Sequence, residues 1–219
     1  TALPTSLGLG SAALILALIL GVAVGVCSAV YSSSWVDRAL RIFLLSSVSL
    51  PGFLVASLLI WIFSLELHWL PPGLWSSFLE GPEFWVLPSI TLALRPLALI
   101  TRLVRGSLLE ALEQDYIRTA RSKGLKESVV IWKHALNNAW IPFIGVVPPL
   151  AAHLLTGSFL VETVFQIPGL GRHFVNAVLN RDYPLVMGNT LVFAIFLVAF
   201  TWLGDLLLIW ADPRVRTET

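Results

Sequence analysis

The sequence predicts an all-α bundle of membrane-spanning helices, and three observations carry that expectation. Of the 219 residues, 57% are apolar and only 12% are charged, with a mean hydropathy of +0.84. An ordinary soluble domain carries roughly 25% charge. Residues 1–36, 42–65, 135–161 and 183–204 carry no charge, and 84–101 hold a single one, Arg95. At ~1.5 Å rise per residue, ~20 apolar residues of helix cross the ~30 Å hydrocarbon core. The runs also lack the two-residue alternation of lipid-facing barrel strands, so helices are expected. This composition argues against a water-soluble enzyme, a disordered chain and a nucleic-acid binder.

Five spans follow, near 7–30, 42–65, 85–106, 141–163 and 188–211, in one transmembrane domain covering 1–219. The first has no basic leader ahead of it and does not read as a signal peptide. Within it, Gly21 and Gly25 have the G-x-x-x-G spacing of a close helix contact. Pro51 is expected to interrupt the second span, Pro96 the third and Pro148-Pro149 the fourth, because proline removes a backbone donor and crowds the preceding turn. These breaks are either packed bends or the lining of a path.

Orientation follows from the basic residues. Eleven of the fourteen fall in 31–41, 102–134 and the C-terminal tail: Arg38, Arg41, Arg102, Arg105, Arg118, Arg121, Lys123, Lys126, Lys133, Arg214 and Arg216. The opposite connections, 66–84 and 164–187, hold only Arg172 and Arg181. The N-terminus is therefore expected outside and the C-terminus in the cytoplasm. Trp61, Trp69, Trp75 and Trp85 would mark the outer interface, and Trp35, Trp132, Trp140 and Trp210 the inner one. An odd number of spans beginning outside leads to the expectation that a further span precedes residue 1.

The loop at 107–140 is polar yet helical in composition. Asp115 suits an N-cap, and Tyr116 to Lys123 make about two turns. Gly124 suits the left-handed residue that closes a helix, with Leu125 beyond it as the hydrophobic contact. Val129, Leu136 and Trp140 give the next helix one apolar face. By physics alone this unit is either a docking element or a solvated connector.

Four polar residues interrupt the apolar runs or border them: Arg95, His153, Glu162 and Asp205. They either tie helices together, as an Arg95–Asp205 or Arg95–Glu162 pair, or lie on a polar path. Pro168-Gly169-Leu170-Gly171 turns the chain sharply before a short amphipathic stretch, Arg172 to Leu179. That segment is either a re-entrant gate at the outer mouth or a plain loop. No G-x-x-x-x-G-K-[ST] phosphate loop and no H-E-x-x-H is present, and the four histidines are scattered. Neither ATP hydrolysis nor a metal site is expected in this chain.

The stretch 115-DYIRTARSKGL-125 with 134-HALNNAWIP-142 resembles the cytoplasmic loop of ABC-importer membrane subunits, in the oligopeptide/dipeptide/nickel permease branch and its first-subunit type. The segments 161-VETVFQIPGLGRHFVNAVLNRDYPLV-186 and 204-GDLLLIWADPRVR-216 resemble the same branch, and 49-SLPGFLVASLLIWIF-63 does so more weakly. Where the general importer loop reads Glu-Ala-Ala, this one reads Arg118-Thr119-Ala120, a departure usual for the peptide branch. The resemblance implies a type I importer fold and a coupling helix from Tyr116 to Leu125. In it Thr119, Ala120 and Gly124 permit close approach to an ATPase groove, and Arg118, Arg121 and Lys123 meet its rim. The implied partners are a second homologous permease, two ABC ATPase subunits that bind ATP and Mg, an extracytoplasmic solute-binding protein and the lipid bilayer. The implied location is a bacterial or archaeal cytoplasmic membrane. The resemblance also implies an N-terminal span and outer segment ahead of residue 1. A secondary transporter or channel without an ATPase is the rival. It calls for a dense set of intramembrane carboxylates or a filter motif, which the sequence lacks.

Overall fold

In the computed structural model the described residues are 2–75 and 81–211. Residues 76–80, and Arg214 and Arg216 of the tail, lie outside them. Among the described residues the regular elements are helices, ten of them α-helical: α1 (Ala2–Val30), α2 (Trp35–Ser49), α3 (Gly52–Leu59), α4 (Glu83–Leu112), α5 (Asp115–Ser122), α6 (Glu127–Val129), α7 (Leu136–Leu155), α8 (Phe159–Val164), α9 (Leu170–Leu179) and α10 (Tyr183–Ala211). Wide π-helical turns extend α3 through Glu66 and join α6 to α7. Four helices are long and apolar enough to cross a membrane: Ala2–Val30, Glu83–Leu112, Pro142–Val164 and Tyr183–Trp210.

The second expected span departs from a straight crossing. Residues 42–65 run through a 109° bend between α2 and α3, so they make a fifth crossing only if the bent pair counts as one. The break is at Leu50-Pro51, where both residues adopt extended ψ values of 134° and 137°. Proline pushes its predecessor out of the helical region and cannot continue the ladder. Pro96 and Pro148-Pro149, expected to break their spans, instead sit inside continuous helices. Pro96 and Pro148 are braced by packing. Pro96 is buried, and the Pro148 ring lies where a Cβ on Gly204 of α10 would come within 2.6 Å of it. The fourth span breaks later, at Thr156–Ser158, where Gly157 takes φ +93°.

The bundle is built on the seam between α1 and α4. A Cβ on Gly21 would stand 2.7 Å from Ile100 Cγ2, and one on Gly25 2.8 Å from Val104 Cβ. The bare backbones therefore approach as the G-x-x-x-G spacing leads one to expect. Thr101 Oγ1 donates to the Gly21 carbonyl across the same seam, at 3.1 Å. Around it the core divides in two. One cluster runs from Ala13 and Ala17 down to Ile117, Ala120, Val130 and Ile131, at the end of the bundle that gathers the basic residues. The other, at the far end, joins Leu9, Ala56, Leu87, Val161, Phe165 and Ile167. α10 is almost wholly exposed along its length, with only 6% of its apolar window buried.

Gly21→Leu or Gly25→Leu places a branched side chain in this seam. Overpacking costs about 1–3 kcal/mol, and more where backbone must move. The expected outcome is a clear drop in the unfolding temperature of the detergent-solubilised chain. Unchanged melting of both variants would show that α1 and α4 do not meet as described.

Candidate functional site

Four arrangements position polar chemistry. The first is the loop at the basic end. α5 starts at Asp115, with Gln114 as the N-cap, so Asp115 is the first helical residue and not the cap. The helix closes as expected. Gly124 takes φ +74°, its N–H donates to the Arg121 carbonyl at 2.9 Å, and the Leu125 N–H donates to the Ala120 carbonyl at 3.4 Å. These are the two bonds of a Schellman closure.

The structure sorts the eight loop residues singled out from sequence. Ala120 is buried, together with the neighbouring Ile117, in the same cluster as Leu108, Val130 and Ile131. Ala120 therefore seats α5 on its own chain and is not at the outer surface, where close approach to a partner was expected. The side three residues apart from it turns outward: Tyr116, Thr119 and Lys123, at i, i+3 and i+7, with Arg118 and Leu125 beside them. Arg121 is engaged within the chain. It donates to Glu127 through Nη2 at 2.7 Å and Nε at 3.3 Å, clamping α5 to the start of α6 across the glycine turn. That guanidinium hydrogen bond holds the Glu127 carboxyl below its ordinary value and the Arg121 pKa above its own.

The second arrangement was not foreseen. Asp37, in the first turn of α2, is fully buried. It accepts Arg105 Nε and Nη2 of α4, each at 3.0 Å, together with the Ser28 hydroxyl of α1 and the Ser33 N–H at 3.2 Å. Arg41 adds a contact at 3.3 Å. One carboxylate thus ties α1, α2 and α4 where the chain turns. The available signal was Ser34-x-x-Asp37, a helix-start pattern, and Ser34 Oγ does accept the Asp37 N–H at 3.2 Å.

The third arrangement surrounds Glu162, also fully buried. It accepts the Ser6 hydroxyl of α1 at 2.8 Å and the Arg172 N–H of α9 at 2.8 Å. Ser6 Oγ in turn accepts the Leu170 N–H at 2.8 Å. The first turn of α9 has no side-chain cap of its own, since its N-cap is Gly169. Glu162 and Ser6 supply that cap from two other helices, and a carboxylate suits the positive end of the helix. The cradle needs glycine. A Cβ on Gly169 or on Gly157 would overlap the Glu162 carboxylate, and one on Gly171 would stand 2.6 Å from the Phe159 nitrogen. Gly169 and Gly171 are therefore walls of a carboxylate seat, with Pro168 leading into it.

The fourth arrangement contains Arg95. Neither expected partner pairs with it: Glu162 is enclosed as above, and Asp205 is exposed on α10. Among the described residues the ion pairs are Arg41–Asp37, Arg105–Asp37, Arg118–Asp115 and Arg121–Glu127. Arg95 and His153 instead line one cavity of about 350 Å³ between the α2–α3 elbow, α4, α7 and α8. Among the described residues no cluster of potential metal ligands occurs.

An all-helical set of apolar spans carrying a capped helix on a loop at one end is the architecture of a polytopic membrane protein. The comparisons fix the class. The family model for the inner membrane component of binding-protein-dependent transport systems matches residues 13–217. The chain is 42% identical over 213 residues to the dipeptide transport system permease protein DppB of Bacillus subtilis, covering 97% of this chain and 68% of that protein. It is 39% identical to the oligopeptide transport system permease protein OppB of Salmonella typhimurium, covering 97% and 69%. In fold it is similar to the inward-facing MetNI methionine ABC transporter, with a TM-score of 0.76 at 16% identity over 96% of this chain and 94% of that one. The chain belongs to the binding-protein-dependent inner membrane component family, the permease subunits of ABC importers, and is a transporter subunit and not an enzyme.

Asp37→Ala leaves two guanidinium groups and the Ser28 hydroxyl without their acceptor. Breaking a buried pair costs about 3 kcal/mol at the lower end of its range, which applies because Arg41 and Arg105 still reach water. The thermal midpoint should fall sharply for Asp37→Ala and less for Asp37→Asn, which keeps an acceptor oxygen. Equal midpoints for the two variants would contradict the bidentate tie.

Proposed function

We propose that the chain is a membrane subunit of a bacterial importer for peptides, and that α5 couples it to a separate ATPase. The observation that carries the coupling role is the two-sidedness of α5. Ile117 and Ala120 fix it to the chain's own core, while Tyr116, Thr119 and Lys123 turn outward with Arg118 and Leu125. A helix held rigidly from behind transmits displacement of its front to the body it is seated on. Its seat includes Leu108 and Ala111 of α4, so movement of α5 is passed to the helix that carries Arg95. ATP-driven closure of two ATPase subunits would supply the differential free energy between inward-open and outward-open forms, with helices moving as near-rigid units.

The peptide solute is supported by the names of the relatives, dipeptide and oligopeptide permeases. The basic end is read as cytoplasmic from the distribution of Lys and Arg. The working assembly in this reading comprises this chain, a second homologous permease, two ATPase subunits and an extracytoplasmic binding protein. The α9 segment, anchored at its start by Glu162, is placed at the outer mouth, where Phe174 faces a second cavity. A channel or secondary transporter leaves the outward face of α5 without a role.

Thr119→Arg and Lys123→Glu alter the outward face alone. In the assembled importer each should lower ATP-driven peptide uptake by about tenfold or more and weaken retention of the ATPase subunits on purification, with the chain's thermal midpoint unchanged. Full uptake and full retention in both variants would refute docking through this face. Ala120→Arg is a different experiment: it displaces α5 from its own core and should lower the thermal midpoint as well.

A further inference from the structure

Resting on the peptide reading above, we propose that Arg95 forms the subsite that receives the α-carboxylate of the peptide during passage. Arg95 is the thirteenth residue of the 30-residue α4, roughly 18 Å from its start at ~1.5 Å per residue. It is thus near mid-depth of the bundle. A guanidinium there is costly unless it meets an anion or water, and intramembrane charges mark solute paths by default. The two carboxylates of the apolar region considered as its partners are elsewhere. Glu162 is occupied by Ser6 and the start of α9, and Asp205 lies exposed on α10. Arg95 is exposed toward a cavity of about 350 Å³ whose walls are mostly leucine and valine.

The polar lining continues in one direction. His153 stands in the wall shared by this cavity and a second one of about 360 Å³. The second cavity is lined in turn by Asn189, whose side-chain nitrogen is buried with no hydrogen-bond partner among the described residues. The sequence Arg95, His153, Asn189 is therefore a fixed cation followed by two amide- or imidazole-type groups, set in apolar walls. Every linear peptide presents the complementary pattern whatever its side chains: one terminal carboxylate, then backbone carbonyls. Guanidinium binds carboxylate through two parallel N–H bonds, and an unpartnered amide N–H is satisfied by a carbonyl. The apolar walls accept varied side chains without reading them, as a solute class defined by its backbone requires. The bend at Leu50-Pro51 opens the same space, since Ser47, Leu50 and Gly52 line the Arg95 side of it.

The test compares uptake of radiolabelled alanyl-leucine with that of its C-terminal amide, in proteoliposomes holding the complete importer and its binding protein. The binding protein acts identically in every arm, so only the change in the acid-to-amide ratio is read. Arg95→Gln should lower that ratio by about tenfold or more, because a site built for a charged group discriminates strongly against its absence. Arg95→Lys, which keeps the charge but not the planar fork, should retain only part of the ratio, between wild type and Arg95→Gln. A wild-type ratio in Arg95→Gln would overturn the subsite while leaving the peptide reading intact. A collapsed ratio in both variants, with wild-type thermal midpoints, supports a site that needs the guanidinium fork itself. If the wild-type assembly imports neither compound, the peptide reading fails and the subsite fails with it.

Discussion

The close approach of α1 to α4 is the constraint on which the rest of the bundle depends. In hydrocarbon there is little hydrophobic force between helices, so association relies on van der Waals packing and hydrogen bonds across small residues. Gly21 and Gly25 supply the small residues, and Thr101 supplies the hydrogen bond to a backbone carbonyl. Once the two long helices are fixed side by side, the positions of α2, α7 and α9 follow from what α1 and α4 present to them. Gly10 of α1 lies directly against the α7 backbone at Leu154–Leu155, and Gly8 lies against the Trp85 ring of α4.

α1 also carries a serine near each end, and each serine holds a buried carboxylate brought by another element. Ser28 binds Asp37 of α2 at the basic end, and Ser6 binds Glu162 of α8 at the far end. The two serines are 22 residues apart, ~33 Å along a helix, which is close to the thickness of the hydrocarbon core. The two costly carboxylates thus sit at the two ends of the apolar zone, each with its acceptor capacity used. Asp37 is matched by arginine, and Glu162 by the hydroxyl and the free N–H groups of a helix start. The middle of the zone is left to Arg95, His153 and the elbow at Pro51. Rigid ties at both ends with an open, polar-lined centre suit a body that tilts as a unit around a solute.

Much of the site was legible in the sequence because it rests on local rules. Gly124 with Leu125 closes α5 through bonds that span six residues, so the spacing alone foretold the turn. The G-x-x-x-G pair foretold a seam, though not the partner helix. Asp37 escaped notice because its partners, Ser28 and Arg105, come from two other elements, and no short pattern encodes that meeting. The expectation that Ala120 would face a partner failed for a similar reason. A small residue suits a tight surface on either side of a helix, and only packing tells which side is inside.

The sequence by itself determined the membrane class, the helical spans, the uneven placement of basic residues and the capped loop. Each of these follows from composition or from interactions within one turn of chain, which act wherever the segment is placed. The tertiary structure decided which charges pair, where proline breaks a helix and where it is absorbed, and which face of α5 is turned out. Those outcomes depend on which neighbour occupies the space beside a residue. Pro51 stands at a 109° bend with extended backbone, whereas Pro148 lies within a continuous helix with its ring seated on Gly204. Glu162 was expected to meet a cation and instead meets a serine and the amino end of a helix, because α9 folds back onto it.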